Sequence, residues 1–201
     1  MKPSEIGKAY DQIVHKWTDE KFNRENGIEA HKRALAFLKD GKTALDAGCG
    51  CTGRFFDLFI DNGLTPEGID ISDKMVELVS DKYPDLCIHH ADICQWQPSG
   101  QYDFITGWDS IWHVPLEEKE SLIRKLCLAL TPGGVFIFST GGVDAPESIT
   151  DDAMGPTVYY STLGIPKYLE VITEENCICR HLEYDHYPEL HLFFIVQKTV
   201  D

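Results

Sequence analysis

The sequence predicts an α/β fold of the doubly wound kind, built on an open and mostly parallel sheet. Three observations carry that expectation. Short apolar runs alternate with helix-compatible stretches from Thr43 onward. A glycine-rich turn with Gly48, Gly50 and Gly53 joins the first run to the helix behind it. Successive runs then end at Asp70, Asp92 and Asp109, and the carboxyl edge of an open α/β sheet is where ligands bind.

Taken in order, Ser4 to Phe22 and Gly27 to Leu38 read as two N-terminal helices, the second with Ala30, Ala34, Phe37 and Leu38 along one face. Ala44, Leu45 and Ala47 mark the first strand. The turn after it calls for glycine because the backbone needs positive φ and a ligand must approach the main chain without meeting a Cβ. A helix follows over Gly53 to Asn62, with apolar positions at Phe55, Phe56, Leu58, Phe59 and Ile60. The second strand, Leu64 to Ile71, carries Asp70, which lies 20 residues beyond Gly50. Ser72 or Asp73 caps the helix that runs to Lys82. Leu86 to His90 is a third strand, followed by Ala91, Asp92 and Ile93; Tyr102 to Gly107 is a fourth, followed by Trp108 and Asp109.

A helix over Leu116 to Leu130 and a strand over Val135 to Ser139 complete the alternation, which implies right-handed parallel crossovers. Gly141 to Tyr160, with four Asp or Glu, three glycines and two prolines, reads as a long functional loop. Ile165 to Glu174 is a helix, and Asn176 to Tyr184 and Glu189 to Lys198 are two closing strands joined at Tyr187-Pro188.

Composition agrees with a single domain of 201 residues, 43% hydrophobic and 11% aromatic. No long apolar span and no leader-like pattern over Met1 to Glu20 is present, so neither membrane insertion nor secretion is expected, and a cytoplasmic location follows. The seven cysteines are an odd count, and the C-x-C pairs at 49/51 and 177/179 lack the partners of a zinc pattern, so free thiols and no metal are expected. A net charge of -15, with 18 Lys and Arg against 33 acids, argues against a nucleic-acid partner. It suits a small neutral or cationic substrate, although solubility alone also explains it.

The acids at the strand ends have specific uses. Asp70 can accept two hydrogen bonds from ribose hydroxyls. Asp92 can accept from the exocyclic amine of an adenine whose ring Ile93 covers.

On these residues the chain resembles the class I S-adenosylmethionine-dependent methyltransferases that act on small molecules, over nearly its whole length. The resemblance implies a Rossmann-like sheet of seven strands whose last two form an antiparallel hairpin. It implies that Asp46-Ala47-Gly48-Cys49-Gly50-Cys51-Thr52-Gly53 holds the methionine part of S-adenosyl-L-methionine, whose product is S-adenosyl-L-homocysteine. Asp70, with Ile71 beside it, corresponds to the ribose-binding acid, and Asp92 and Ile93 to the adenine-contacting pair. Leu130-Thr131-Pro132-Gly133-Gly134 resembles the structural turn before the fifth strand. Tyr10-Asp11 with Trp17 is similar to the aromatic N-terminal helix that closes over the cofactor, where many relatives have tyrosine in place of Trp17; Trp108 is a further cover. The domain then divides into a helical cap (1–40), a cofactor-binding core (41–140), a substrate loop and helix (141–175) and a C-terminal hairpin (176–201).

Nicotinamide-dependent dehydrogenases also use a glycine fingerprint and a ribose-binding acid. Asp46 ahead of the first glycine suits the cationic amino group of S-adenosylmethionine, directly or through water, whereas it would repel a pyrophosphate. Arg54 is the one basic residue in the turn, and the chain is short for two domains. A nicotinamide-dependent reductase and a non-catalytic binding module remain the alternatives.

Methyl transfer from a sulfonium needs alignment and exclusion of water, and a base only where the acceptor arrives protonated. Candidates for the substrate wall are Asp109, Trp112, His113, Tyr159, Tyr160 and His191. His113 is the candidate base, because an imidazole near its reference pKa of about 6.5 accepts a proton at neutral pH. Its place before Val114-Pro115 suits capping or packing equally well. His89 and His90 receive no role.

Overall fold

A computed structural model describes residues Met1–Val200. Its central sheet has seven strands: β1 (Thr43–Ala47), β2 (Thr65–Asp70), β3 (Cys87–His90), β4 (Tyr102–Gly107), β5 (Leu130–Gly141) and, from the C-terminal hairpin, β8 (Cys177–Glu183) and β9 (His191–Lys198). The spatial order is β3-β2-β1-β4-β5-β9-β8; the first five pair in parallel, while β9 runs antiparallel to both β5 and β8. The order turns back on itself between β1 and β4, so the ends of those strands diverge and leave a crevice.

Period-two burial decides which helices cover which face. Leu45, Ile69, Ile105, Phe136 and Phe138 point to one side and pack with Leu122, Ile123 and Leu126 of α6 (Leu116–Leu128) and Tyr168, Val171 and Ile172 of α7 (Ile165–Glu174). Ala44, Phe104, Val135, Ile137 and Ile195 point to the other, against Ala34 of α3 (Ile28–Leu35) and Phe55 and Phe59 of α4 (Arg54–Asp61). α5 (Asp73–Lys82) begins at Ser72, whose hydroxyl accepts from the Met75 amide.

Three expectations need correction. The first N-terminal helix is not continuous from Ser4 to Phe22: α1 spans Pro3–Ile13 and a single turn, α2, spans His15–Thr18. Beyond it, Asp19 accepts the Lys21 amide and Asn23 the Glu25 amide, and these short side chains compete with the helical ladder. The resulting irregular stretch brings Phe22 and Asn26 to the crevice.

The segment Gly141 to Tyr160 is not an unstructured loop. It holds β6 (Glu147–Asp151) and part of β7 (Val158–Thr162), an antiparallel pair separate from the main sheet. Every residue of β6 is exposed, so it lacks the alternation by which a half-buried strand is recognised. The turn at Leu130 to Gly134 is real but interrupts a ladder: Leu130 already pairs with Tyr102, and pairing resumes at Val135 with Phe104. Among the described residues no helix is long and apolar enough to cross a membrane.

α1 crosses the carboxyl end of β2 and is pinned there. Asp11 accepts hydrogen bonds from the Ser72 hydroxyl (2.6 Å) and the Lys74 amide (3.1 Å). Gly7 makes the close approach possible, because a Cβ there would sit 2.5 Å from the Ile71 carbonyl oxygen. In an isolated helix Gly to Ala gains about 1 kcal/mol of propensity. Here the obstacle is backbone that cannot swing away, so Gly7→Ala is expected to lower the urea midpoint; a raised midpoint would show that α1 is not seated on β2.

Candidate active site

A cavity of about 420 Å³ opens at the carboxyl ends of β1 to β4, roofed by α1 and α2. Its floor is the glycine turn. Gly50 lies in the left-handed region (φ 58°), and a Cβ on it would meet nothing within 4 Å, so the missing side chain is open space for a ligand. Gly48 and Cys49 share this wall. Gly53, also left-handed, does not reach it: a Cβ there would fall 2.2 Å from the Tyr83 ring, so this glycine serves the packing of α4.

Asp70 stands beside the turn. One carboxylate oxygen accepts the Gly50 amide (2.9 Å) and the other the Ser72 amide (2.9 Å), and each keeps lone-pair capacity. Burial raises its pKa, and the backbone hydrogen bonds from Ser72 and Gly50 oppose that rise. Ile71 lies next to it on the wall. Asp92 follows β3, with Oδ1 accepting the Cys94 amide (2.9 Å), and Ile93 lines the same end.

Asp46 is 3% exposed and lies beneath the turn, off the cavity wall. Burial pushes its carboxyl up to about 7, with Arg54 pulling the other way. Direct contact with a ligand amino group is therefore not built into this arrangement. Arg54 itself lines the cavity. Its guanidinium donates to the Asn26 carbonyl (3.1 Å) and the Thr52 hydroxyl (3.3 Å) and lies over the Phe55 and Phe22 rings at 4.4 and 5.4 Å.

Trp108 and Asp109 close the β4 side. Trp108 is buried and its indole N–H has no partner among the described residues. Asp109 adopts a left-handed backbone (φ 51°) and is held by three donors: it accepts from His191 Nε2 (2.9 Å), the Asn26 amide group (2.9 Å) and the Ser139 hydroxyl (3.1 Å). Burial would raise its pKa, but these bonds, His191 first, bring it below the usual value. His191 does not line the cavity. It lies behind Asp109, with Nδ1 donating to Asp185 (2.5 Å); burial would lower its pKa, but the two carboxylates raise it to about 9, so it is an imidazolium at neutral pH.

The roof and outer wall are aromatic: Tyr10, Trp17, Trp112 and Tyr160 line the cavity with His113. Tyr159 is not on this wall; its hydroxyl accepts the Leu116 amide (3.3 Å) and its carbonyl accepts from His113 Nδ1 (2.7 Å). The expectation that His113 sits near its reference pKa is overturned. Burial lowers it to about 4, against the opposing pull of the Tyr159 carbonyl. Its remaining nitrogen, Nε2, already accepts from the Tyr10 hydroxyl (2.5 Å) and the Trp112 indole (3.0 Å). A neutral imidazole so engaged ties α1 to the outer wall and is a poor proton acceptor.

Arg54, Asn26, Phe22 and Met154 also line the wall, beyond the residues expected from sequence. Arg54 carries a sequence signal as the one cation of the glycine turn. The other three carry none, since each sits in an irregular segment.

The chain matches the model of a methyltransferase domain family over residues 20–172. Among curated proteins it is 30% identical over 148 residues to a ubiquinone biosynthesis O-methyltransferase of Chromobacterium violaceum, covering 68% of this chain and 62% of that protein. It is 24% identical over 177 residues to the phosphoethanolamine N-methyltransferase of Plasmodium falciparum, covering 84% of this chain and 65% of that one. The chain thus spans less than two thirds of the length of these relatives. Among solved structures, the fold is similar to 1,6-didemethyltoxoflavin-N1-methyltransferase of Burkholderia thailandensis, with a TM-score of 0.74 at 16% identity over 99% of this chain and 91% of the other. It is also similar to CalS10, an amino pentose methyltransferase of Micromonospora echinaspora, with a TM-score of 0.72 at 14% identity over 94% and 96% of the two chains. By the extent of the family match, which takes in the glycine turn, Asp70, Asp92, Trp112 and Tyr160, the chain belongs to the methyltransferase domain family.

Proposed function

We propose that the protein transfers a methyl group from S-adenosyl-L-methionine to an oxygen or nitrogen of a small molecule, leaving S-adenosyl-L-homocysteine. The observation that carries this reading is the convergence of Gly50, Asp70, Asp92 and Trp108 from four successive strand ends on one cavity. The family membership supports it over the nicotinamide-dependent reductase. The net charge of -15 supports a small molecule over a nucleic acid as acceptor.

The residues fit the cofactor in each of its parts. The free lone pairs of Asp70 take the ribose hydroxyls, and the second oxygen of Asp92 takes the adenine amine with Ile71 and Ile93 against the ring. The space at Gly50 admits the methionine chain to the backbone. Arg54 supplies a cation for the cofactor's carboxylate, and the Asp46 carboxyl behind it, raised to about 7 by burial, ionises more readily when the cofactor's cationic amino group is near. When bound, S-adenosylmethionine supplies a methyl already activated by its sulfonium.

The chain's contribution is then alignment and dryness. α1 and α2 close the cavity with Tyr10 and Trp17, and the Tyr10 to His113 hydrogen bond latches that cover to the outer wall. Trp17, Trp112 and Tyr160 offer flat faces for an aromatic or cationic acceptor. With His113 neutral and engaged, no imidazole is poised to remove a proton; the acceptor enters as a free amine or an acidic hydroxyl that ionises by itself. A panel of small amines, phenols and carboxylates with methyl-labelled S-adenosylmethionine tests the function. Label transferred to one class supports it, and binding without transfer to any would leave only a cofactor-binding module.

Asp70→Ala is expected to weaken S-adenosylmethionine by on the order of 2 kcal/mol, about 30-fold, the scale of hydrogen bonds to a charged group; unchanged affinity would remove Asp70 from the site. Arg54→Met should weaken S-adenosylhomocysteine about tenfold or more yet spare 5′-methylthioadenosine, which lacks the amino acid part. Equal losses for both ligands would make Arg54 a packing residue. The folded pKa of His191, about 9, stands above its unfolded value. Its pairing with Asp109 and Asp185 therefore stabilises fully below about pH 6.5 and is lost as pH rises through about 9. The urea midpoint should fall across that alkaline range and do so less in His191→Gln; identical profiles would contradict the assignment.

A further inference from the structure

We propose that Glu67, Cys87 and His89 bind one borderline divalent cation of the zinc type, at the outer edge of the sheet and apart from the cavity. The site follows from strand register. Glu67 of β2 stands opposite Cys87 of the edge strand β3, and Ile69 opposite His89. Residues two apart on a strand share a face, so thiol and imidazole project to the same side, with the carboxylate beside them.

The ligand atoms are already gathered: His89 Nε2 lies 2.7 Å from Glu67 Oε1 and 3.4 Å from Cys87 Sγ, and all three fall within 4.8 Å of one another. Tetrahedral zinc, with bonds of about 2.0 to 2.3 Å, sets its ligands roughly 3.3 to 3.7 Å apart. The sulfur and nitrogen meet that spacing as they stand, and rotation of the carboxylate opens the third edge. Thiolate, imidazole and carboxylate together select a zinc-like ion over magnesium or calcium, which prefer all-oxygen shells.

The Tyr102 side chain, 4% exposed, lies beside Glu67 and Ser99, so the cluster backs onto the packed core of the sheet. Trp96 packs on the His89 ring at 5.4 Å between centroids and fixes its orientation. Among the described residues, the other gathering of such side chains, Asp185, His186 and His191, has both nitrogens of His191 committed to carboxylates.

Binding deprotonates Cys87, the proton passing to solvent, and leaves carboxylate and thiolate balancing the two positive charges. The cation clamps β3, a strand of only four residues, to β2. These strands lead into Asp92 and Asp70, so the clamp sits behind two walls of the cavity.

The test is titration of the chelator-treated full chain with Co²⁺ alone, followed by Zn²⁺. One equivalent should bind with a thiolate-to-cobalt charge-transfer band and the visible bands of a tetrahedral centre, and Zn²⁺ should displace it. Cys87→Ser should lose the charge-transfer band, His89→Gln should bind about tenfold more weakly or worse, and Cys179→Ser should behave as wild type. Absence of saturable binding, or a charge-transfer band that survives Cys87→Ser, would overturn the proposal. Neither outcome depends on methyl transfer.

Discussion

The arrangement depends on the carboxylate of Asp70. One oxygen holds the Gly50 amide and so fixes the glycine turn against β2; the other holds the Ser72 amide and so fixes the start of α5. Ser72 then donates to Asp11, which brings α1 down across the cavity. A single side chain thereby sets the floor, one wall and the roof. It does so at a desolvation cost that the backbone amides offset in part. The same geometry leaves lone pairs directed into the cavity, so the structural and binding demands on this residue coincide.

Around that centre the site is arranged in layers of unequal polarity. Arg54 and Asp46 lie at the glycine turn, and the Asp109–His191–Asp185 chain lies behind Trp108 and Trp112. The outer end is mainly aromatic, with Lys16 at the roof beside Trp17. This division matches a reaction in which the charged partner is the cofactor and the protein contributes position and dryness. It also gives the polar residues near β4 a mechanical role. Asp109 keeps a left-handed backbone because three donors hold it there, and that conformation turns the chain from Trp108 toward Trp112 and His113.

Much of this was legible in the sequence, for identifiable reasons. β1, β2, β4, α5 and α7 fall where the apolar runs and the Ser72 cap place them, because propensity, periodicity and capping agree there. The cavity likewise unites Gly50, Asp70, Asp92, Trp108 and Tyr10 as spacing and resemblance imply. What escaped was whatever depends on neighbours distant in sequence. The pKa of His113 is set by burial beneath Tyr10 and Trp112, and the place of His191 behind Asp109 is set by the register of β5 with β9. Asp46 and Gly53 carry the motif's pattern, but the one is covered by the turn and the other by Tyr83. The hairpin of β6 and β7 escaped because exposed strands leave no hydrophobic signature.

The central claim is that this cavity holds S-adenosylmethionine. Calorimetric titration of the purified protein with S-adenosylmethionine, S-adenosylhomocysteine and NAD(P)H under identical conditions tests it most directly. The structure leads us to expect saturable binding of the first two, one per chain, and none of the third. Selective binding of NAD(P)H would contradict the account, and the roles given to Asp46 and Arg54 would fall with it.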